Sequence, residues 1–357
     1  MKKHLLTLGM ILFAATSVFA VPELIGTVEY QASRVSDFDF EMSWEDLYIE
    51  ESNSSDTVYV EVYCNKKKYA PKVKLSHSSL EISSAHTSSF LTVEQKRCTV
   101  KVYIPAGKKL EKAAIELSSG DMKNIEALTA DEIVLELSSG NINAGRLDGR
   151  VVKAVASSGN IKIDEIIAKK AVVQASSGNI TVGAVQAQEY YSKTSSGNQK
   201  TDYLNTTTAE FSATSGDIKL RDITAQEISL SASSGKLTAE GLLADKLVAS
   251  TSSGTIGFEL NAAPKNKSVI STTSGTLFVS MPQNSAATIV ASTSTGRFVN
   301  SFTREKIESH ADYRQDINGG GAILSLSSTS GNITVDADES YLITSDIPVV
   351  NIDRPIF

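Results

Sequence analysis

Carboxylate chemistry is what this chain is best supplied for. A polysaccharide lyase or hydrolase needs two acidic side chains with an Arg or Lys in one groove, one acid to give a proton and the other to accept one or attack. The acidic candidates are Asp164, Glu165, Asp202, Glu227, Glu240 and Asp245. They are scattered, and no two neighbouring repeats set a pair of them at matching positions. No catalytic residue is therefore assigned, and the chain reads as a non-enzyme. Metal chemistry is poorer still. His77, His86 and His310 lack ligand spacing, and the Gly-Gly-x-Gly-x-Asp calcium repeat is absent. There is no phosphate loop or nucleophile elbow. Neither a metal nor an organic cofactor is expected. Cys64 and Cys98 follow and open strand-like runs, so they can bridge in an oxidising compartment; two separate buried thiols is the alternative.

The N-terminus bears on the compartment. Lys2 and Lys3, an apolar run over residues 5–13 and then Val18-Phe19-Ala20 make a secretory signal peptide over residues 1–20. The chain is therefore expected to be exported, to the periplasm or to the cell surface and beyond. No later stretch reads as a transmembrane segment. The formal net charge of -7 is mild and spread out, which argues against a nucleic-acid partner.

The elements that must position any functional group are set by a repeat. Ser157-Ser158-Gly159-Asn160-Ile161 recurs as Ser138-Ser139-Gly140-Asn141-Ile142 and as Ser176-Ser177-Gly178-Asn179-Ile180. Glycines continue the series at Gly120, Gly197, Gly216, Gly235, Gly254, Gly275, Gly296 and Gly331, in steps of 20, six of 19, then 21, 21 and 35. Counted from Gly216, apolar residues fall at Ile218, Leu220, Ile223, Ala225, Ile228, Leu230 and Ala232. Alternate positions mean strands, and each break in the alternation is a corner. Every repeat is one coil of short strand segments that buries its apolar face only by stacking. The fold expected is all-β: a parallel β-solenoid (β-helix) of about eleven coils of roughly 19–21 residues, forming a rod about 50 Å long. A β-rich N-terminal module (21–110) leads into the coils (111–340), and residues 341–357 read as a C-terminal cap.

The corner motif reads as turn chemistry. Glycine supplies a backbone conformation that β-carbons forbid, and Asn or Asp tolerates left-handed geometry and can bond its own turn. Gly140 and Asn141, Gly159 and Asn160, Gly178 and Asn179, Gly197 and Asn198, and Gly216 and Asp217 should stack as a structural ladder. Two departures stand out. The Gly197 coil carries Gln199 and Thr201 where others have Ile. An insertion at 297–328 interrupts the stack and supplies a candidate binding loop with Phe302, Arg304, Tyr313 and Arg314. The lone Trp44 reads as a packing residue. Thr251, Thr272, Thr273, Thr293 and Thr295 do not extend into the flat array that ice binding requires, because the central coils carry Lys and Glu there.

Ile104-Pro105-Ala106-Gly107, Glu116-Leu117-Ser118-Ser119-Gly120-Asp121, the recurrent Ser-Ser-Gly-Asn-Ile, and the run from Gly319-Gly320-Gly321 to Thr329-Ser330-Gly331-Asn332-Ile333 together carry a resemblance. The chain resembles the bacterial "putative adhesin" domain family of unknown function. The resemblance implies an exported or envelope-associated β-solenoid, and some relatives are tied to envelope-stress sensing. It implies no catalytic residues. The function expected is a non-catalytic rod presenting an outer face and loop to a protein or glycan partner, as an adhesin or envelope scaffold; a periplasmic stress sensor or accessory protein is the alternative.

Overall fold

The computed structural model describes residues 21–85, 96–308 and 312–338. The signal segment 1–20, His86, His310 and the expected cap at 341–357 lie outside the described residues.

The alternation of the sequence becomes the cross-section of a coil. In strand Ile161–Ser177, the buried side chains are Ile161, Ile163, Ile166, Ala168, Ala171, Val173 and Ala175. These are the offsets at which the Gly216 coil buries Ile218 through Ala232. Each fully buried Ile or Val contributes roughly 1.5–3 kcal/mol of apolar transfer free energy, and a single coil has no second layer against which to collect it. Stacking provides that layer. Ile161–Ser177 pairs in parallel with Ile180–Ser196, from Ile161 opposite Ile180 to Ser177 opposite Ser196, one repeat apart. The pairing lapses only at Asp164, Lys169 and Ser176, where the coil turns. Three faces result, and polar residues on all of them point out. The same parallel pairing links Met122–Ser139 through Leu237–Ser253, with one irregularity where Ile142 and Ala144 face Met122 and Ile125.

Both ends depart from sequential stacking. At the C-terminal end, Ile323–Ser330 lies between Ser268–Ser274 and Ala287–Thr293, parallel to both. Ile333–Asp338 likewise lies between Leu277–Pro282 and Arg297–Asn300. The corner order is therefore Gly275, Gly331, Gly296. The N-terminal end repeats the device: Asp37–Met42 sits between Ser79–Ser83 and Lys109–Leu117, and Asp46–Ser52 between Cys98–Pro105 and Met122–Ser139. Strand Lys109–Leu117 runs across the expected module boundary, so these N-terminal strands continue the same sheet stack. The solenoid comprises about nine turns rather than eleven. The glycine count overstates it because the terminal layers are short and broken: the Gly296 layer ends in the four-residue strand Arg297–Asn300.

Antiparallel strands close the outer layers. Thr57–Cys64 pairs antiparallel with Cys98–Pro105, which places Cys64 opposite Cys98. Their sulfurs are 2.03 Å apart, a disulfide spanning 34 residues. No helix among the described residues is long and apolar enough to cross a membrane.

Candidate functional site

Each of the six acidic candidates on the solenoid wall has a basic neighbour. Asp164 lies 3.7 Å from Lys162, Glu165 3.3 Å from Arg146, and Glu227 3.3 Å from Lys246. Glu240 lies 3.3 Å from Lys219 and Asp245 2.8 Å from Lys265. Asp202 is held by Lys200 at 2.8 Å and Arg221 at 3.0 Å. Several of these pairs link one coil to the next, and exposed pairs of this kind contribute only ~0–1 kcal/mol each. Their arrangement neutralises the wall, and the six acids are not brought together.

The corner residues form the ladder, by a bond type the sequence left open. Asn141 Oδ1 accepts from the Asn160 backbone N–H at 3.0 Å, and Asn160 Oδ1 from that of Asn179 at 2.9 Å. Asn179, Asn198 and Asp217 accept in the same way from Asn198, Asp217 and Lys236 at 2.9, 2.9 and 2.8 Å. Each side chain thus satisfies a backbone donor of the next coil. The series begins two steps earlier than expected: Asp46 Oδ1 accepts from the Asp121 N–H at 3.1 Å, and Asp121 Oδ1 from the Asn141 N–H at 2.7 Å. Burial tends to raise the Asp121 carboxyl, but hydrogen bonds from Lys123 and the Asn141 backbone outweigh it and hold the group below the usual carboxylate range. The glycines are required by proximity as well as by φ. A Cβ on Gly159 would sit 1.7 Å from the Gly140 carbonyl oxygen, and one on Gly254, where φ is not left-handed, 1.9 Å from that of Gly235.

The described strands of the insertion fold back on the stack. Glu305–Glu308 folds back antiparallel on Arg297–Asn300, and Asp312–Ile317 on Ala287–Thr293, covering the last parallel layer. Covering that edge is the task expected of residues 341–357. Two of the four candidate binding residues are thereby structural. Tyr313 is 7% exposed, its ring 4.4 Å from that of Phe298. Its hydroxyl donates to Gln315 Oε1 at 2.6 Å and accepts from Asn300 Nδ2 at 3.2 Å. Phe302 packs half-buried against the core. Arg304 and Arg314 are exposed. An aromatic in an insertion is as readily a plug for an open core as a ligand contact, and sequence does not separate the two.

A concave feature lies at the other end. A groove of about 740 Å³ is lined by Trp44, Lys96, Glu41, Glu116 and Glu136, with corner serines including Ser84 and Ser118. Trp44 is half-exposed there, with the Lys96 ammonium 4.2 Å from its ring centroid, so it is a lining residue as well as a packing one. The three glutamates occupy one column: Glu41 is opposite Glu116, and Glu116 is opposite Glu136. Parallel neighbours are about 4.8 Å apart, so three like charges stand in direct register. This corrects the expectation that no neighbouring coils align carboxylates. Glu136 is paired with Lys153 at 2.6 Å. Glu116 and Glu136 sit one 20-residue step apart, so that pair was open to detection from the repeat. Glu41 was not, because threading brings it in from outside the repeat.

Around the corner from the groove, the outer face of the N-terminal strands is aromatic. Tyr59 and Tyr103 stack with ring centroids 4.4 Å apart. Glu61 accepts from Tyr63 at 2.8 Å and from Tyr103 at 3.3 Å. Burial first, then the charges of Glu61 and Glu50, pushes the Tyr103 phenol up, so these tyrosines are neutral hydrogen-bonding groups at ordinary pH.

The model of the Toastrack DUF4097 family matches residues 35–197 and again 172–336, which together span the coil stack. The chain belongs to the Toastrack DUF4097 family. Its two overlapping matches agree with a domain that is itself made of repeated coils. No curated protein matches the chain. Among solved structures, a "putative adhesin" from Parabacteroides merdae is 12% identical, over 71% of this chain and 95% of that one, with a TM-score of 0.41. A "putative lipid binding protein" from Parabacteroides distasonis is 16% identical, over 72% and 96%, with a TM-score of 0.37. A "putative cell adhesion protein" from Clostridium sporogenes is 9% identical, over 89% and 100%, with a TM-score of 0.25. Likenesses this low add no argument, and the assignment of this Toastrack chain rests on the family match and the strand register.

Proposed function

We propose that this Toastrack protein is a non-catalytic, exported β-solenoid that presents its outer face and the Trp44 groove to a glycan or protein partner. The observation that carries this reading is the groove itself. On the solenoid wall Asp164, Glu165, Asp202, Glu227, Glu240 and Asp245 each face a base, which leaves these acids little to offer a ligand. At the groove an indole, a column of three carboxylates and several serine hydroxyls converge on one open surface. Such a set offers a flat apolar face and many acceptors to a polyhydroxylated chain or to a peptide. Export is supported by the sequence of residues 1–20 and by the Cys64–Cys98 bridge, a bond that persists in oxidising compartments. The test is binding to a glycan array and to envelope protein extracts by the wild type and by Trp44→Ala. Loss of binding in the variant supports the reading; equal binding places the site elsewhere. Protease shaving of intact cells distinguishes a surface role from a periplasmic one.

A second reading has one observation in its favour. Glu116 and Glu136, in register within a groove, could act as the acid pair of a polysaccharide-cleaving enzyme. Against it, Glu136 is already engaged by Lys153 at 2.6 Å rather than free to meet a substrate. Turnover of a polysaccharide, abolished by Glu116→Gln, would replace the binding reading by the catalytic one.

A further inference from the structure

Polar side chains are buried at several places, Glu45, Ser268 and Asn300 among them, but in the central coils they gather at one corner. At the second and fourth positions after the corner glycine, one flanking coil buries Ile180 and Val182 and the other Ile218 and Leu220; the coil between them buries Gln199 and Thr201. The preceding face buries Tyr190, Ser192 and Thr194, where the coil before it has Ala171, Val173 and Ala175. All five polar side chains are shut off from solvent, and they flank the same corner, Gly197.

Their hydrogen bonds can be counted. Gln199 Nε2 donates to Thr194 Oγ1 at 3.1 Å and to the Ser212 carbonyl at 2.6 Å. Thr194 Oγ1 gives its only proton to the Gly197 carbonyl at 3.1 Å. Both partners of the Gln199 amide nitrogen are therefore acceptors, which fixes the orientation of the amide and uses both of its N–H groups. Gln199 Oε1 is left buried with no donor, and the Tyr190 and Ser192 hydroxyls are buried with no partner in good hydrogen-bond geometry. Burial pushes the Tyr190 phenol up to about 12, while weak hydrogen bonding with the Thr201 and Ser192 hydroxyls pulls the other way, so these three hydroxyls are neighbours; Gln199 joins them through Thr194, two residues from Ser192 on the same buried face. One acceptor without a donor, beside two hydroxyls that lack a well-formed hydrogen bond, is the composition that buried water completes.

We propose that the interior at the Gly197 corner is a water-binding site, in which an ordered molecule donates to Gln199 Oε1 and is hydrogen-bonded to the Tyr190 and Ser192 hydroxyls. About three protein partners is the usual number for an enclosed water. The site is particular to this corner, because the neighbouring coils offer Ala, Val, Ile and Leu at the equivalent positions. It is independent of the groove and of any partner bound there.

The test is a crystal structure of the whole protein at a resolution that places waters, together with water relaxation dispersion in solution. The result expected is density within hydrogen-bond reach of the three groups, and a long-lived internal water whose signal is lost in Tyr190→Phe/Ser192→Ala/Gln199→Ile. Should that triple variant fail to fold, Ser192→Ala alone removes one partner and is expected to shorten the residence time about five- to tenfold, the effect of one hydrogen bond. The proposal is overturned if the crystal shows Tyr190 or Ser192 donating directly to Gln199 Oε1 with no water between them. An unchanged dispersion in the triple variant, or an unchanged residence time in Ser192→Ala, overturns it equally.

Discussion

Replacing Gly178 by Ala tests the corner directly. Gly178 has φ +153°, and a Cβ there would lie 1.9 Å from the Gly159 carbonyl oxygen. Backbone held in such a region by a non-glycine residue costs about 1–3 kcal/mol. Relieving the contact means moving the Gly178 coil off the Gly159 coil, which weakens the Gly159 N–H bond to the Ser177 carbonyl, 2.9 Å long, at a further cost of about 1 kcal/mol. The expected loss is about 2–4 kcal/mol. Gly257 provides the control. It lies in strand Ile256–Leu260, and a Cβ there would meet nothing within 4 Å. Gly257→Ala should change stability by less than about 1 kcal/mol, and reduced freedom of the unfolded chain favours the variant. Urea unfolding followed by far-ultraviolet circular dichroism measures both, provided the slopes match, because stacked repeats can lose two-state behaviour. The reasoning is refuted if Gly178→Ala unfolds within about 1 kcal/mol of the wild type, or if the two substitutions are equally damaging.

Three other outcomes follow from the same structure. Paired cysteines test the threading: Ser271→Cys/Ser327→Cys and Ser292→Cys/Ser327→Cys should crosslink within the chain, whereas Ser271→Cys/Ser292→Cys should not, since Ser327 lies between them; peptide mapping after oxidation gives the answer, and a Ser271–Ser292 link would restore sequential stacking. Replacing Cys64 and Cys98 together by Ala should cost up to about 4 kcal/mol, the chain-entropy value for a 34-residue separation, measured by denaturation without reductant. Asp121→Asn should destabilise the protein at neutral pH, with the difference closing in acid: the carboxylate's folded pKa is depressed, so its stabilisation is present above the unfolded value of about 3.9 and is lost as pH falls through the lower folded value. Melting curves across an acid series check the sign.

The coil was legible because its constraints are local. The seven inward positions, the two breaks in alternation and the glycine corner all follow from side-chain direction and turn chemistry within one repeat. Residue order also predicted which corner side chains stack, although their acceptor role toward the next backbone depended on the three-dimensional offset between coils. What sequence did not show is non-local. The slot that Ile323–Asp338 fills between earlier layers leaves no mark on its own residues, which carry the ordinary coil pattern. For the same reason residues 297–328 looked like a free loop, and Tyr313 like a ligand contact, when they fold back over an open edge. The groove combines both cases: Glu116 and Glu136 follow the repeat, but Glu41 and Trp44 reach it only through threading.

That combination is also what gives the groove its interest as a binding surface, because the threaded strands supply the indole and one carboxylate while the coil supplies the others. Trp44 is the single tryptophan of the chain, so its emission reports on the groove alone. The most direct measurement is a titration of the intact protein, followed by tryptophan fluorescence, with glycans and envelope proteins first identified as binders by an array. The account predicts a saturable change in Trp44 emission, weakened by Glu116→Gln and Glu136→Gln, with the ligand recovered chemically unaltered. Binding that leaves Trp44 emission unchanged, or a glycan recovered in cleaved form, would contradict it.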